Sequence, residues 1–435
     1  MTLTLTQLAQ KAKEEPEIAF DSIVHLVDLE LLRASHKQLR REASAGVDQV
    51  RWADYEQNLE ERLKDLLERL KAKTYRPQPV KRAYLPKEDG RYRPIGIAAH
   101  EDKIVQRAVA TVMEAIYEQD FVDSSYGFRR GKNATQALEA SWKAVMDGKI
   151  NVVLDADIES FFDSMDKEWL MKMLRHRIKD GSLLRLVAKW LHAGVLEEGK
   201  WYDPQTGSAQ GSVISPLLAN VYLHYVLDLW VERVVKKRCR GQVKLYRYAD
   251  DILLGFEDEQ DAERVSRALR QRLAKFGLKL NEGKTRLIAF GRRAWRRWKQ
   301  GGPKPGTYLF WGFVHSSGTS RKGDFVVKRK TAPKRVTRIL KRVWQWCKGH
   351  RHRPVKEQQE RLNQALRGHY NYYGMPGNSD GLSTVYYWVT RIWHTWMSRR
   401  SQKGHISWAK FTEFLRRHPL ILPRIRRPAP QGQRS

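Results

Sequence analysis

Two sets of acidic residues stand where acids are out of place. Tyr248-Ala249-Asp250-Asp251 lies between two short apolar runs, so two adjacent carboxylates sit at the tip of a hydrophobic hairpin. Asp favours turns through local hydrogen bonds, and taken alone the pair reads equally well as a polar turn. Upstream, in Asn151-Val152-Val153-Leu154-Asp155-Ala156-Asp157-Ile158, strand alternation sets Val153, Asp155 and Asp157 on one face. Val152, Leu154, Ala156 and Ile158 take the other. Unpaired buried carboxylates are costly, so a strand that keeps them predicts bound cations. Three carboxylates from two neighbouring strands would hold two Mg2+ ions about 3.5 to 4 Å apart, the arrangement that activates a 3′-hydroxyl and stabilises a leaving pyrophosphate. Hard oxygen ligands suit Mg2+, with Mn2+ as the alternative.

The elements that must position these acids follow from local pattern. Short apolar strands over 151–158, 243–248, 252–256 and 285–290 alternate with helices, as an α/β or α+β core would. Before them, residues 23–40 and 52–71 carry helical periodicity with charged outer faces, so residues 1–75 read as a helical extension. Residues 82–85 and 92–97 then read as a hairpin turned at Glu88-Asp89-Gly90, and 101–118 returns to helix.

Charge narrows the partner. The 435 residues include 81 Lys and Arg against 49 Asp and Glu, a formal charge of +32, and the obvious polyanion is nucleic acid. No run of 18 apolar residues exists, so no membrane partner is expected, and no secretory signal is read. The predicted compartment is the cytoplasm, with association to the nucleoid through nucleic acid. Cys239 and Cys347 lie too far apart in sequence to suggest a disulfide framework or a cysteine zinc site. Between residues 321 and 360 there are 14 Lys and Arg against 3 acids, so a strongly basic, largely helical module is expected in the C-terminal third.

At the carboxylates a family resemblance becomes plain. The chain resembles bacterial group II intron reverse transcriptases, the maturases, from about residue 26 to 427. Tyr248-Ala249-Asp250-Asp251 is similar to that family's Y/F-A-D-D box, and Asp157-Ile158-Glu159-Ser160-Phe161-Phe162-Asp163 to its D-I-x-x-F-F-D box, which picks Asp157 over Asp155. Gln210-Gly211-Ser212-Val213-Ile214-Ser215-Pro216-Leu217-Leu218-Ala219-Asn220 resembles its Q-G-x-x-I-S-P-L-L-A-N box. The resemblance implies catalytic Asp157, Asp250 and Asp251, a metal site of these three with Ile158, and a nucleotide site of Lys87, Arg93, Ile158, Phe162, Gln210 and Lys284. Lys87 and Arg93 would grip the incoming triphosphate, Phe162 would occupy the space of a ribose 2′-hydroxyl, and Gln210 would pack beside the nascent base pair. Lys284 would protonate the leaving pyrophosphate, although a phosphate-facing surface lysine is nearly as good a reading. Ser208-Ala209 and Trp311 depart from the usual family pattern, and Arg130 stands where proline is expected.

Further on, Leu366-Arg367-Gly368-His369-Tyr370-Asn371-Tyr372-Tyr373-Gly374-Met375-Pro376-Gly377-Asn378 resembles the maturase (X) signature and Arg399-Arg400-Ser401-Gln402 its later element. Cations and aromatic faces together suit RNA. Tyr387, Trp388, Ile392, Trp393 and Trp396 recur at helical spacing and are expected in the core, whereas Lys328, Arg329, Lys330, Lys334, Arg335 and Arg338 are expected to contact nucleic acid. His369 reads as structural or RNA-contacting, for want of a catalytic partner. No cysteine pairs of the kind an appended HNH endonuclease uses follow this module, so DNA cleavage is not expected.

The expected fold is therefore α+β, a right-hand polymerase: helical extension (1–75), fingers and palm (76–320), thumb and helical X domain (321–428), and a frayed tail (429–435). The expected activity is RNA-directed DNA synthesis from dNTPs on an RNA template and DNA primer. It is coupled to binding a structured RNA, most simply a group II intron, for splicing and retromobility. A host-adopted relative serving DNA repair or defence, an RNA-binding splicing cofactor with a vestigial site, and a palm-type nucleotidyl cyclase are the alternatives.

Overall fold

The computed structural model describes residues 4–86, 90, 92–197, 200–202, 211–401 and 404–426, the side chain of Trp201 excepted. Among them the strands are β1 (Val80–Pro86), β2 (Tyr92–Ile97), β3 (Val152–Asp157), β4 (Val195–Glu197), β5 (Lys200–Tyr202), β6 (Val243–Tyr248), β7 (Asp251–Phe256), β8 (Arg286–Ala289), β9 (Thr307–Phe310), β10 (Phe313–Thr319) and β11 (Phe325–Thr331). They form three sheets, ordered β2-β1-β4-β5, β6-β7-β3-β8 and β11-β10-β9. The chain divides into two units, Met1–Ala137 with Ala156–Leu254 and Asp258–Leu287, and Leu138–Asp155 with Gly255–Glu257 and Ile288–Ser435.

In the first unit, the expected N-terminal helices form in shorter pieces. The Asp28 carboxylate accepts a hydrogen bond from the Leu31 amide at 2.8 Å and so starts a helix at Leu29–Gln38, leaving Val24–Leu26 as a single 3-10 turn. Residues 52–71 split into Trp52–Glu56 and Leu59–Lys71, the second burying Leu63 and Leu66. The helix His100–Asp120 is buried along much of its length, with Ile104, Val105, Ala108, Val109, Val112 and Met113 in the core. The predicted hairpin is present as β1 paired antiparallel with β2, from Lys81↔Ile97 to Pro86↔Tyr92; its turn residues 87–89 lie outside the described residues. All four predicted core strands form within two residues of the predicted bounds as β3, β6, β7 and β8. β3 departs from strict alternation: Val153 is as deeply buried as Leu154, so both faces of the strand are covered, and Asp155 and Asp157 are half-buried.

In the second unit, β9, β10 and β11 form an antiparallel sheet, and the helices Pro333–His350, Val355–Tyr373, Ser379–Ser398 and Trp408–Arg417 follow. Their core gathers Val343, Cys347, Leu362, Leu366, Leu382, Val385, Val389, Trp393 and Phe411. The basic, largely helical module expected after 321 is present, opening as strand β11 before its first helix starts at Pro333. One expectation needs correction here. Of the aromatic set, Ile392, Trp393 and Trp396 are buried, but Tyr387 and Trp388 are about half exposed. The helix Ser379–Ser398 turns its Leu382, Val385 and Val389 stripe inward, and that phase puts Tyr387 and Trp388 outside. The predicted tail (429–435) lies outside the described residues; before it, the Arg426 amide donates to the Gly374 carbonyl at 2.6 Å. No helix among the described residues is long and apolar enough to cross a membrane.

Candidate active site

The Tyr248-Ala249-Asp250-Asp251 turn joins β6 to β7, and Ala249 adopts φ +52°, in the left-handed region that costs a non-glycine residue about 1–2 kcal/mol. Something must hold it there. Arg247, the residue before the box, is fully buried and donates from Nη1 to the Ala249 carbonyl at 3.1 Å and to Asn220 Oδ1 at 3.0 Å. Its Nε and Nη2 meet both carboxylate oxygens of Asp228, at 2.7 and 2.6 Å, and neither partner's side chain is exposed. Asn220 in turn donates to the Gly127 carbonyl at 2.7 Å. Gly127 must be glycine, because a Cβ there would lie 2.4 Å from the Ala249 nitrogen. A buried polar network thus clamps the carboxylate turn from below. Sequence reasoning missed its centre: Asn220 lies within a motif, but Arg247 stands in a segment that reads as an apolar strand, and Asp228 carries no signal of its own. A charged residue at an inward strand position was the available signal.

Asp157 ends β3, and its carbonyl accepts from the Asn281 amide at 2.8 Å, which ties it to the turn carrying Lys284. The Lys284 ammonium sits 2.8 Å from Asp157 Oδ2. Asp250 is half-buried, and burial raises its carboxyl above the ordinary range; the charge of Asp157 adds to the rise, while Arg93 and Lys284 oppose it. Asp157 and Asp250 therefore share one electrostatic field with two cations, Arg93 and Lys284. Asp251 opens β7 and is exposed. Among the described residues no three His, Cys, Asp or Glu side chains converge as a ready metal cage. The donors that are brought together are carboxylate oxygens, the chemistry of a hard divalent cation.

The Ile158 side chain is buried, so only its main chain, which forms an antiparallel bridge with Leu280, can face a ligand. Beyond it Ser160, at φ +45°, turns the chain into the four-residue helix Phe161–Ser164. Phe161 points into the core, and Phe162, half-buried, packs edge-to-face on it with centroids 5.4 Å apart. Of six non-glycine residues with positive φ among the described residues, Phe128, Ser160 and Ala249 all flank the carboxylates or their clamp, so strain collects at this site. Lys87 and Gln210 lie outside the described residues. Gly211, next to Gln210, approaches the Gly96 carbonyl so closely that a Cβ would lie 2.9 Å from it, and buried Gln106 accepts from Ser212 Oγ and the Val213 amide at 2.7 and 3.1 Å.

In the second unit, Lys328 and Lys330 are exposed on β11, and Lys334 and Arg338 are exposed on the helix that follows; Arg335 is half-buried. Arg329 is a correction. Strand alternation turns it inward with Phe325, Val327 and Thr331, where it is 2% exposed. Its guanidinium lies 5.0 Å from the Trp142 ring centroid, and burial lowers its pKa. It is an interior cation and not a surface contact for RNA. The signature asparagine Asn378 is also structural: fully buried, it donates to Thr331 Oγ1 at 2.7 Å and accepts from the Thr331 amide at 2.9 Å.

Comparison with known proteins places this geometry. The family described as reverse transcriptase (RNA-dependent DNA polymerase) matches residues 85–318, more than half of the chain. The group II intron-encoded protein LtrA of Lactococcus lactis is 38% identical over 175 residues, 39% of this chain and 29% of that protein. Protein YkfC of Escherichia coli is 33% identical over 241 residues, 54% of this chain and 63% of its own length. Nuclear intron maturase 2 of Arabidopsis thaliana is 28% identical over 176 residues, 31% and 24% of the two chains. The chain thus spans less than two thirds of the length of these relatives.

Proposed function

The chain belongs to the reverse transcriptase family, and from that premise we propose that it extends a DNA primer on an RNA template by adding deoxynucleotides from dNTPs. The observation that carries the reading is the pairing of Asp157 with Asp250 in one field, beside Arg93 and Lys284, on a turn clamped by a buried ion pair. The family implies a right-hand polymerase fold. In this reading residues 76–320 are fingers and palm, 321–428 thumb and X domain, and 1–75 the helical extension.

Asp157 and Asp250, with Asp251 and the Ile158 main chain, would hold Mg2+. Divalent ions bound there would lower the pKa of a primer 3′-hydroxyl and neutralise the departing pyrophosphate. The chain's own groups do the rest. Arg93, with Lys87, orients the triphosphate for in-line attack. Phe162, fixed by Phe161, fills the space beside the sugar C2′ and so selects deoxyribose, while Gln210 packs on the nascent pair. Lys284, already 2.8 Å from Asp157, is placed to give a proton to the leaving pyrophosphate.

The test is extension of a DNA primer annealed to RNA, with dNTPs and Mg2+. Product should form, vanish on chelation and return with added Mg2+. Primer left unextended by folded, RNA-bound protein would contradict the reading. The structured partner we infer is a group II intron RNA, a reading supported by the names of the relatives and by the exposed cations Lys328, Lys330, Lys334 and Arg338. An intron beside the gene should splice faster with the protein than without it, and equal splicing would refute that part alone.

A further inference from the structure

The helices Pro333–His350 and Val355–Tyr373 leave between them a cleft of about 440 Å³, within the range of a ligand pocket. One wall is a helical face, on which Arg335, Arg338 and Arg342 alternate with Ile339, Val343 and Trp346. The other carries Arg361, Ala365, Gly368 and His369 at the same period. Four arginines and no carboxylate line it, so an anion is favoured inside. Its apolar floor and Trp346 ring suit a flat heterocycle.

Two further observations point to a ligand. His369 is 7% exposed, and its Nε2 is buried with no hydrogen-bond partner. A buried orphan of this kind is rare in native proteins and marks a group awaiting one. Burial pushes the imidazole down to about 4, so it is neutral near pH 7 and can offer Nε2 for one directed hydrogen bond. Gly368 sits in mid-helix, where glycine is costly, yet a Cβ there would meet no atom within 4 Å. Packing within the protein does not require a glycine there; the open space serves the cleft.

We propose that this cleft binds one unpaired nucleotide of an RNA strand, its phosphates held by Arg335, Arg338, Arg342 and Arg361, its base against Trp346 and hydrogen-bonded to His369 Nε2. The inference rests on the reading of this protein as RNA-binding and adds a base-reading site to it.

The test compares a single-stranded RNA 12-mer with an abasic 12-mer of equal phosphate number, by fluorescence anisotropy at several salt concentrations. His369→Leu should weaken binding of the base-bearing strand about 3- to 10-fold and leave the abasic strand unchanged. Arg342→Gln with Arg361→Gln should weaken both and make the slope of log affinity against log salt shallower by about 1.4. His369→Asn, which keeps a hydrogen-bonding group, should recover much of the loss. Photocrosslinking of a bromouridine-substituted 12-mer to the wild-type protein should map to the peptide containing Trp346, a readout that does not depend on any variant folding. Equal response of both strands to His369→Leu, or crosslinks only elsewhere, overturns the proposal. AMP binding as tightly as the 12-mer overturns the assignment to a strand. Loss of all RNA binding in the wild type would instead remove the functional reading beneath it.

Discussion

Replacing Asp228 with leucine should cost about 3–5 kcal/mol, because it strands the Arg247 guanidinium in the interior. The figure follows from the geometry. Neither side chain is exposed, two of the four hydrogen bonds made by the Arg247 guanidinium go to Asp228, and the bidentate distances are 2.7 and 2.6 Å. The loss is a large share of a typical folding free energy of about 5–15 kcal/mol. The double variant Asp228→Leu, Arg247→Met removes both charges and should return stability to within about 1–2 kcal/mol of wild type, since apolar replacement of a buried pair is often neutral. It should not return activity. With Arg247 gone, the Ala249 carbonyl loses its donor and the left-handed turn bearing Asp250 is released, so kcat for primer extension should stay at least about tenfold down, in keeping with the cost of misplacing a reacting group. Urea unfolding followed by far-ultraviolet circular dichroism reads the first quantity, and single-turnover primer extension reads the second. A loss under about 1 kcal/mol in Asp228→Leu would refute the energetic argument. A double variant with wild-type kcat would refute the claim that Arg247 positions the turn.

Phe162→Ala should open the space beside the sugar, so the ratio of kcat/KM for dNTPs over rNTPs should fall; an unchanged ratio places the steric gate elsewhere. Neutralising Lys328, Lys330 and Lys334 to Gln should make the salt slope of RNA affinity shallower by about 2, at about 0.7 per contact, while single-turnover chemistry at saturating primer and template is retained. Stability should fall as pH drops from 7 toward 5 in part through His224, whose pKa burial lowers to about 4. Its stabilising contribution is whole above the unfolded value of about 6.5 and is lost as pH approaches the folded value. His224→Gln should therefore lessen the slope of unfolding free energy with pH by up to about 1.4 kcal/mol per pH unit in that window, and an unaltered slope would count against a buried neutral imidazole.

The strands bearing the carboxylates were legible because acids interrupt strongly apolar, strand-length segments, and four strands formed within two residues of their expected bounds. The clamp beneath them was not. Arg247 and Asp228 are 19 positions apart, and a cation at an inward strand position signals a buried partner without saying which residue it is. Arg329 departs from expectation for a related reason: the excess of positive charge over 321–360 is a property of composition, whereas period-2 alternation in β11 points this side chain inward beside Val327. Tyr387 and Trp388 show the matching error on a helix. Several aromatics share a helical spacing, but which phase faces the core is decided by the stripe of Leu382, Val385 and Val389, which are fully buried together with Trp393. The candidate carboxylates are legible as residue types in pattern, and the groups that hold them in place become legible only in three dimensions.

The most direct test of the central claim is Asp250→Asn, measured for primer extension on an RNA template and for RNA affinity in the same preparation. Asn is nearly isosteric with Asp and keeps a carbonyl oxygen, but it removes the charge that Asp157 and Asp250 would jointly present to Mg2+. Extension should fall to background while RNA binding stays within about twofold of wild type, because the exposed cations Lys328, Lys330, Lys334 and Arg338 are untouched. Extension by Asp250→Asn at a rate near that of wild type would contradict the assignment of Asp157 and Asp250 as the metal-binding centre of a polymerase.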